Sequence, residues 1–331
     1  MSKPRIVAEA AQGYAADWGK ELALLEVAAR AGATAVKFQV LYPGELHTPD
    51  HPFAELVREL QLPQERWRIV GERARELEVE LLLDIFGRQG LELAESVGAA
   101  AVKVHSSDML NDELLRDIGA SAVPEVLLSA GGTTYDEIRD AIALLPEKEI
   151  TLVLGFQAYP TPIPENRLLR LQAMREAFPQ VALGFADHTG KEETAVMWLP
   201  ALALALGVTY VEKHITLAQV LGDPDHESAL APDDFAEFVE NMRLALLALG
   251  GPTRGEVEMG EAERAYRLLM KKHVVAVRDL PAGTRLDGAE LALKRAPEPP
   301  ADALFRLDEA IGEVLASPVP ANAPLARGDL Q

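Results

Sequence analysis

Short aliphatic runs return along this chain at near-regular intervals, each separated from the next by an amphipathic stretch. They read RIVAEAA (5–11), AVKFQV (35–40), ELLLDIF (80–86), AVKVHSS (101–107), EVLLSAG (125–131), TLVLGFQ (151–157), ALGFADH (182–188) and YVEKHIT (210–216). The stretches between them, such as WGKELALLEVAARAGA, PQERWRIVGERARELE and TAVMWLPALALALG, carry helical periodicity. Apolar strands alternating with helices predict a parallel sheet covered on both faces. Eight such units in roughly 220 residues have the size of a (β/α)8 barrel, a TIM barrel. An open doubly wound sheet is the alternative, but it commonly has fewer strands. No G-x-G-x-x-G or Walker loop follows the first strand either. The segment PDDFAEFVENMRLALLAL is expected to close the barrel as a helix, with Asp233 or Asp234 near its N-terminus.

The texture then changes. A chain of 331 residues suits one large domain plus a small one. The expected division is a barrel over 1–250, a glycine-rich and charged linker over 251–272, and a small, mostly β domain over 273–331. In that last part HVVAVRDLPAGTRL reads as a strand, a Pro-Ala-Gly turn and a second strand.

Composition narrows the function. There are 52 acidic against 32 basic residues, a formal net charge of −20, which opposes nonspecific binding to nucleic acid or anionic membranes. The absence of cysteine excludes disulfides, thiolate metal sites and thiol nucleophiles. The N-terminus lacks a signal-peptide pattern, and no run of ~20 apolar residues is present. The expectation is a soluble, cytoplasmic protein acting on small molecules.

In a barrel, chemistry gathers where the strands end. Those ends carry Glu9; Lys37 and Gln39; Asp84; Lys103, Ser106 and Asp108; Ser129; Gln157 and Tyr159; Asp187 and His188; Glu212 and His214. Burying such groups unpaired costs several kcal/mol each, so a core would not select them. His188 and His214 end adjacent strands and are expected to converge on one divalent ion, with hydrogen-bonded structural imidazoles as the alternative. Lys37 and Lys103 lie inside apolar strands. Three roles are open to them: salt bridges to Glu9 or Asp84, an anion clamp, or a Schiff base. Asp225, in the acidic run GDPDHES, is a further ligand or hydroxyl-binding candidate.

Taken in order, VAEA, AVKFQ, VKVHSSD, LLSAGG, YPTP, GFADHT, EKHIT and GDPDHESAL resemble the sialic acid synthase (N-acetylneuraminate synthase) family. The tail VVAVRDLPAGTRLDGAELALKRAP is similar to its C-terminal antifreeze-like, or SAF, domain, so the resemblance spans nearly the whole chain. It implies condensation of phosphoenolpyruvate with an N-acylated aminosugar, with phosphate released. A sugar aldolase or a noncatalytic sugar-binding homologue on the same barrel are the alternatives. Carried over by position, it implies His188 and His214 as ligands of Mn2+ or Mg2+. Lys37, Gln39, Lys103, Ser106, Ser129 and Gln157 would surround phosphoenolpyruvate; Tyr159, Asp108 and Asp225 would face the sugar; and Glu9 would lie near the reacting carbons. It further implies a homodimer in which Arg295 reaches the partner's barrel. Asp84 stands where the family has threonine.

Overall fold

A computed structural model describes residues 4–15, 17–155, 158–218, 225–251 and 259–331. The chain divides into two compact units, Met1–Gly250 and Gly251–Gln331. In the first, strands β1 (Arg5–Ala11), β2 (Ala35–Val40), β3 (Glu80–Ile85), β4 (Ala101–Val104), β5 (Glu125–Ser129), β6 (Glu149–Gly155), β7 (Ala182–Asp187) and β8 (Tyr210–His214) pair in sequence order. All the pairs are parallel, and β8 closes the barrel on β1 with Glu9 opposite His214. This is the TIM barrel expected from the strand pattern.

The two-residue period of a strand divides each one between two cores. One set of side chains packs outward against helices such as Lys20–Arg30, Gln64–Glu76 and Pro232–Leu249. The other set points inward and forms layers. Val7, Ala35, Leu82, Ala101, Leu127, Val153, Ala186 and Tyr210 make one apolar interior layer. Below it, Arg5 reaches Glu125 at 2.5 Å and Glu80 at 2.6 Å, closing the barrel floor with ion pairs. One pleat above it, the same rule lifts Glu9, Lys37, Asp84, Lys103 and Glu212 into the interior. Gly184 makes room for the large member of the apolar layer, since a Cβ there would stand 2.9 Å from the Tyr210 ring.

Two local expectations change. TAVMWLPALALALG does not form one helix: a 3-10 turn over Thr194–Met197 precedes a short helix over Leu199–Ala205, the break falling at Trp198 with φ −131°. As expected, Asp233 and Asp234 lie near the N-terminus of the closing helix, in its first turn, after Ala231 as N-cap and Pro232. The stretch expected as a linker is helical over Glu261–Met270.

The second unit is built on a small antiparallel pair, β9 (His273–Ala276) with β10 (Leu291–Lys294). The strand expected straight after the Pro-Ala-Gly turn is only an isolated bridge, Arg285 to Val314. Val274, Leu280, Leu286, Leu291, Leu304, Leu315 and Leu325 give the unit its own apolar core. Among the described residues no helix is long and apolar enough to cross a membrane.

Candidate active site

At the C-terminal end of the barrel strands lies a small, partly enclosed cavity. Its walls include Glu9, Gln39, Lys103, Ser129, Tyr159, His188 and His214, anticipated from the strand ends, and Asp225, anticipated from the acidic run after the eighth. Gly155 keeps the wall open, because a Cβ on it would meet Ala186 at 2.7 Å.

Charge fills the floor. Lys37 is fully buried, in contact with Glu9, and its Nζ lies 3.3 Å from Glu212 Oε1 and 3.7 Å from Asp84 Oδ2. Lys103 shares two of those partners, at 3.3 Å from Glu212 and 3.7 Å from Asp84. Two ammonium groups are thus held among three carboxylates. Burial alone would depress Lys37, but Glu212, Glu9 and Asp84 outweigh it and raise its pKa. Burial pushes the Glu9 carboxyl up to about 8, with Lys37 acting against it. Glu212, also buried, goes the other way and is held well below the usual carboxylate range by Lys103 and Lys37. Tyr210 donates its hydroxyl to Glu212, and the amide of Ala11 donates to Glu9 Oε1 at 2.7 Å. The two glutamates therefore differ in protonation near neutral pH.

The imidazoles of His188 and His214 lie side by side, ring centroids 5.2 Å apart, with the Tyr159 ring against both at 6.0 and 6.2 Å. Burial depresses both pKa values, His188 well below its ordinary value and His214 to about 3. Their backbone is locked in place. The His188 carbonyl accepts from the Thr161 amide and the Ser228 hydroxyl, each at 2.8 Å, and the His214 carbonyl accepts from Leu230 at 2.9 Å. Two neutral imidazoles suit a borderline divalent ion. Asp225 Oδ2 lies 3.7 Å from His214 Nδ1, at orienting rather than bonding distance. Among the described residues no group of three or more carboxylates and imidazoles surrounds an ion position. Among the described residues, His188 and His214 are the pair that would hold such an ion, with other positions open to oxygens from water or substrate.

These neutral histidines make stability depend on pH. Their folded pKa values lie below the unfolded value of about 6.5, so on acidification the unfolded chain takes up protons that the native one refuses. Stability contributed above pH 6.5 is lost as pH falls toward the folded values. Between pH 6.5 and 5 the expected loss is roughly 1.5–2 kcal/mol for His214, and His188 adds to it in the same direction. Urea denaturation of wild type against His188→Gln/His214→Gln, both in chelator, measures it; a difference constant over this range contradicts it.

Other anticipated residues lie elsewhere. Asp108 is occupied locally, accepting from Ser107 Oγ at 2.8 Å and Asn111 Nδ2 at 3.0 Å, and is not part of the pocket wall. Ser106 opens the same 3-10 turn, half-buried and off the wall, where His105 takes its place. Asp187 faces outward from the barrel, pairing with buried Lys213 at 2.9 Å and accepting from the Thr189 amide at 3.0 Å. It steadies the β7 end from behind His188. Gln157 lies outside the described residues. Arg295 belongs to the second unit, where its Nε donates to the Met270 carbonyl at 2.9 Å. Two polar wall residues were given no role from sequence, His105 and Glu212. The signal for Glu212 was present: it stands two residues before His214, hence on the same face of β8.

Comparison with known proteins agrees with this geometry. The chain is 27% identical over 335 residues to N,N'-diacetyllegionaminic acid synthase of Campylobacter jejuni, covering 95% of this chain and 96% of that protein. It is 27% identical over 348 residues to pseudaminic acid synthase of Helicobacter pylori, covering 100% and 99%. Its fold is shared with the N-acetylneuraminic acid (sialic acid) synthetase of Leptospira borgpetersenii, at TM-score 0.72 and 24% identity, over 81% of this chain and 93% of that one. Residues 24–254 match the NeuB family and residues 271–331 the SAF domain. The chain therefore belongs to the NeuB family, the family of nonulosonic acid synthases, and carries a SAF domain after its barrel.

Proposed function

We propose that the pocket condenses phosphoenolpyruvate with the open-chain aldehyde of an N-acylated aminosugar, forming a nonulosonic acid and releasing phosphate. One observation carries this reading. Lys103, with Lys37 buried beneath it, and two neutral imidazoles meet at a single pocket in a chain whose relatives are legionaminic and pseudaminic acid synthases.

Lys103 and, beneath it, Lys37 offset the negative charge of the donor; Gln39 and Ser129 supply neutral hydrogen bonds on either side. Tyr159 and Asp225 face the acceptor. His188 and His214 would hold a divalent ion, Mn2+ or Mg2+, which when bound supplies Lewis-acid polarisation of the aldehyde oxygen. The carboxylates provide an acid and a base because their environments separate their pKa values. Glu9, protonated near neutrality, gives its proton to the aldehyde oxygen as the donor's methylene carbon bonds to the aldehyde carbon. Glu212, ionised, accepts a proton from the water that adds at the resulting cationic carbon. Phosphate then departs with its bridging oxygen by C–O cleavage, leaving the keto group. Holding both substrates in one closed pocket contributes the orientation such a bimolecular step requires.

The active form in this reading is a cytoplasmic homodimer, with Arg295 entering the partner's pocket. Its guanidinium is exposed and, among the described residues, pairs with no carboxylate, bonding only the carbonyl and sulfur of Met270.

Phosphate release from phosphoenolpyruvate, with Mn2+ and a panel of N-acylated hexosamines, tests the reaction. Release should require both the sugar and the ion and should stop in chelator. Protein that binds Mn2+ yet releases no phosphate with any sugar would end this reading.

A further inference from the structure

One buried group has no part in the reaction as written. Asp84 is fully buried on β3, in register between Gln39 of β2 and Lys103 of β4, two residues of the pocket wall. Among the described residues, neither of its carboxylate oxygens finds a hydrogen-bond donor. Both other carboxylates of the cluster do: Glu9 accepts from the Ala11 amide, and Glu212 from Tyr210 and Lys103. Asp84 Oδ2 instead lies 3.7 Å from Lys37 Nζ and 3.7 Å from Lys103 Nζ, a separation at which charge, not hydrogen bonding, holds it. A carboxylate left without a donor in an apolar interior is costly, and among the described residues these two ammonium groups offset the cost. They are also the groups an incoming anion must use.

We propose that Asp84 is a built-in counter-anion: it holds Lys37 and Lys103 in position while the pocket is empty and competes with the anionic end of the ligand for them once it binds. Asp84 is a positioning residue, acting through the two lysines. It loosens the grip on phosphoenolpyruvate and on phosphate alike, so the product leaves a pocket that would otherwise retain it. The charge count is the physical basis. With Asp84 ionised, two cations face up to three anions before any ligand arrives. A neutral side chain at position 84 shifts the floor by one positive unit at a few ångströms from the bound anion, in a site screened little by salt.

This inference rests on the lysine pair being the donor site, and the test separates the two. Inorganic phosphate is titrated calorimetrically into wild type, Asp84→Asn and Asp84→Thr, and KM and kcat for phosphoenolpyruvate are measured alongside. Both variants should bind phosphate at least tenfold more tightly and show a KM lowered at least tenfold, with kcat not raised. A merely structural role would leave phosphate affinity where it was. Unchanged or weaker binding in the variants, with wild type binding phosphate, overturns the counter-anion and leaves the donor site standing. If wild type and variants all fail to bind phosphate, the donor site itself falls. Failure of both variants to fold makes Asp84 a folding requirement and likewise overturns the proposal.

Discussion

His188→Ala and His214→Ala are each expected to lower kcat/KM for metal-dependent phosphate release by on the order of 10³-fold, about 4 kcal/mol of transition-state stabilisation. The expectation is this large because the described residues contribute only these two imidazoles, with no third carboxylate or imidazole to take over a lost position. A single remaining ligand would hold a divalent ion weakly. Neither substitution strands a charge, since both rings are neutral as buried, so the folded state should survive. Thermal unfolding in chelator checks that, and Mn2+ binding measured directly checks the cause. A variant that keeps more than a tenth of wild-type activity while no longer binding Mn2+ would remove the histidine pair from the mechanism.

Lys37→Met is expected to cost about 3–5 kcal/mol of stability, the usual range for breaking a buried ion cluster by removing one partner. Lys37 is fully enclosed and faces three carboxylates, so the methionine removes the cation in contact with Glu9 and leaves Asp84 and Glu212 to Lys103. The loss should be smaller in acid, where the stranded carboxylates take up protons, and larger above pH 8, where Glu9 would otherwise ionise. Combining Lys37→Met with Glu9→Gln should recover part of the loss, because these two groups are in direct contact. Urea denaturation at pH 5.5 and pH 8.5 reads both effects. Equal stability of wild type and Lys37→Met at both values would mean that the floor charges do not depend on one another.

The barrel was legible because its evidence is local. Apolar runs of strand length, separated by helical stretches, recur without exception from Arg5 to His214, and every one became a strand of the closed sheet. Polar residues at the ends of those runs were visible for the same reason: a lysine in AVKFQV or a histidine in EKHIT contradicts its neighbours. Two-residue alternation also separates His188 from Asp187 and joins Glu212 to His214, though proximity in sequence first suggested the opposite grouping for Asp187. Asp108 shows the limit of strand-end reasoning. It lies past the end of β4 in a 3-10 turn, where Ser107 and Asn111 satisfy it before the pocket can use it. Trp198 shows another, since helical periodicity ran straight through a residue whose backbone leaves the helix.

The order of polar and apolar residues along each strand thus determined by itself that this chain forms a (β/α)8 barrel with ionisable groups at its mouth, because alternation acts over two residues and needs no distant partner. Which charges share which partners was decided only when β8 closed against β1. That closure brings Glu212 within reach of Lys37 and Lys103, side chains 175 and 109 positions away in the chain. Pairings of that span follow from the register of the whole barrel, and no local pattern encodes them.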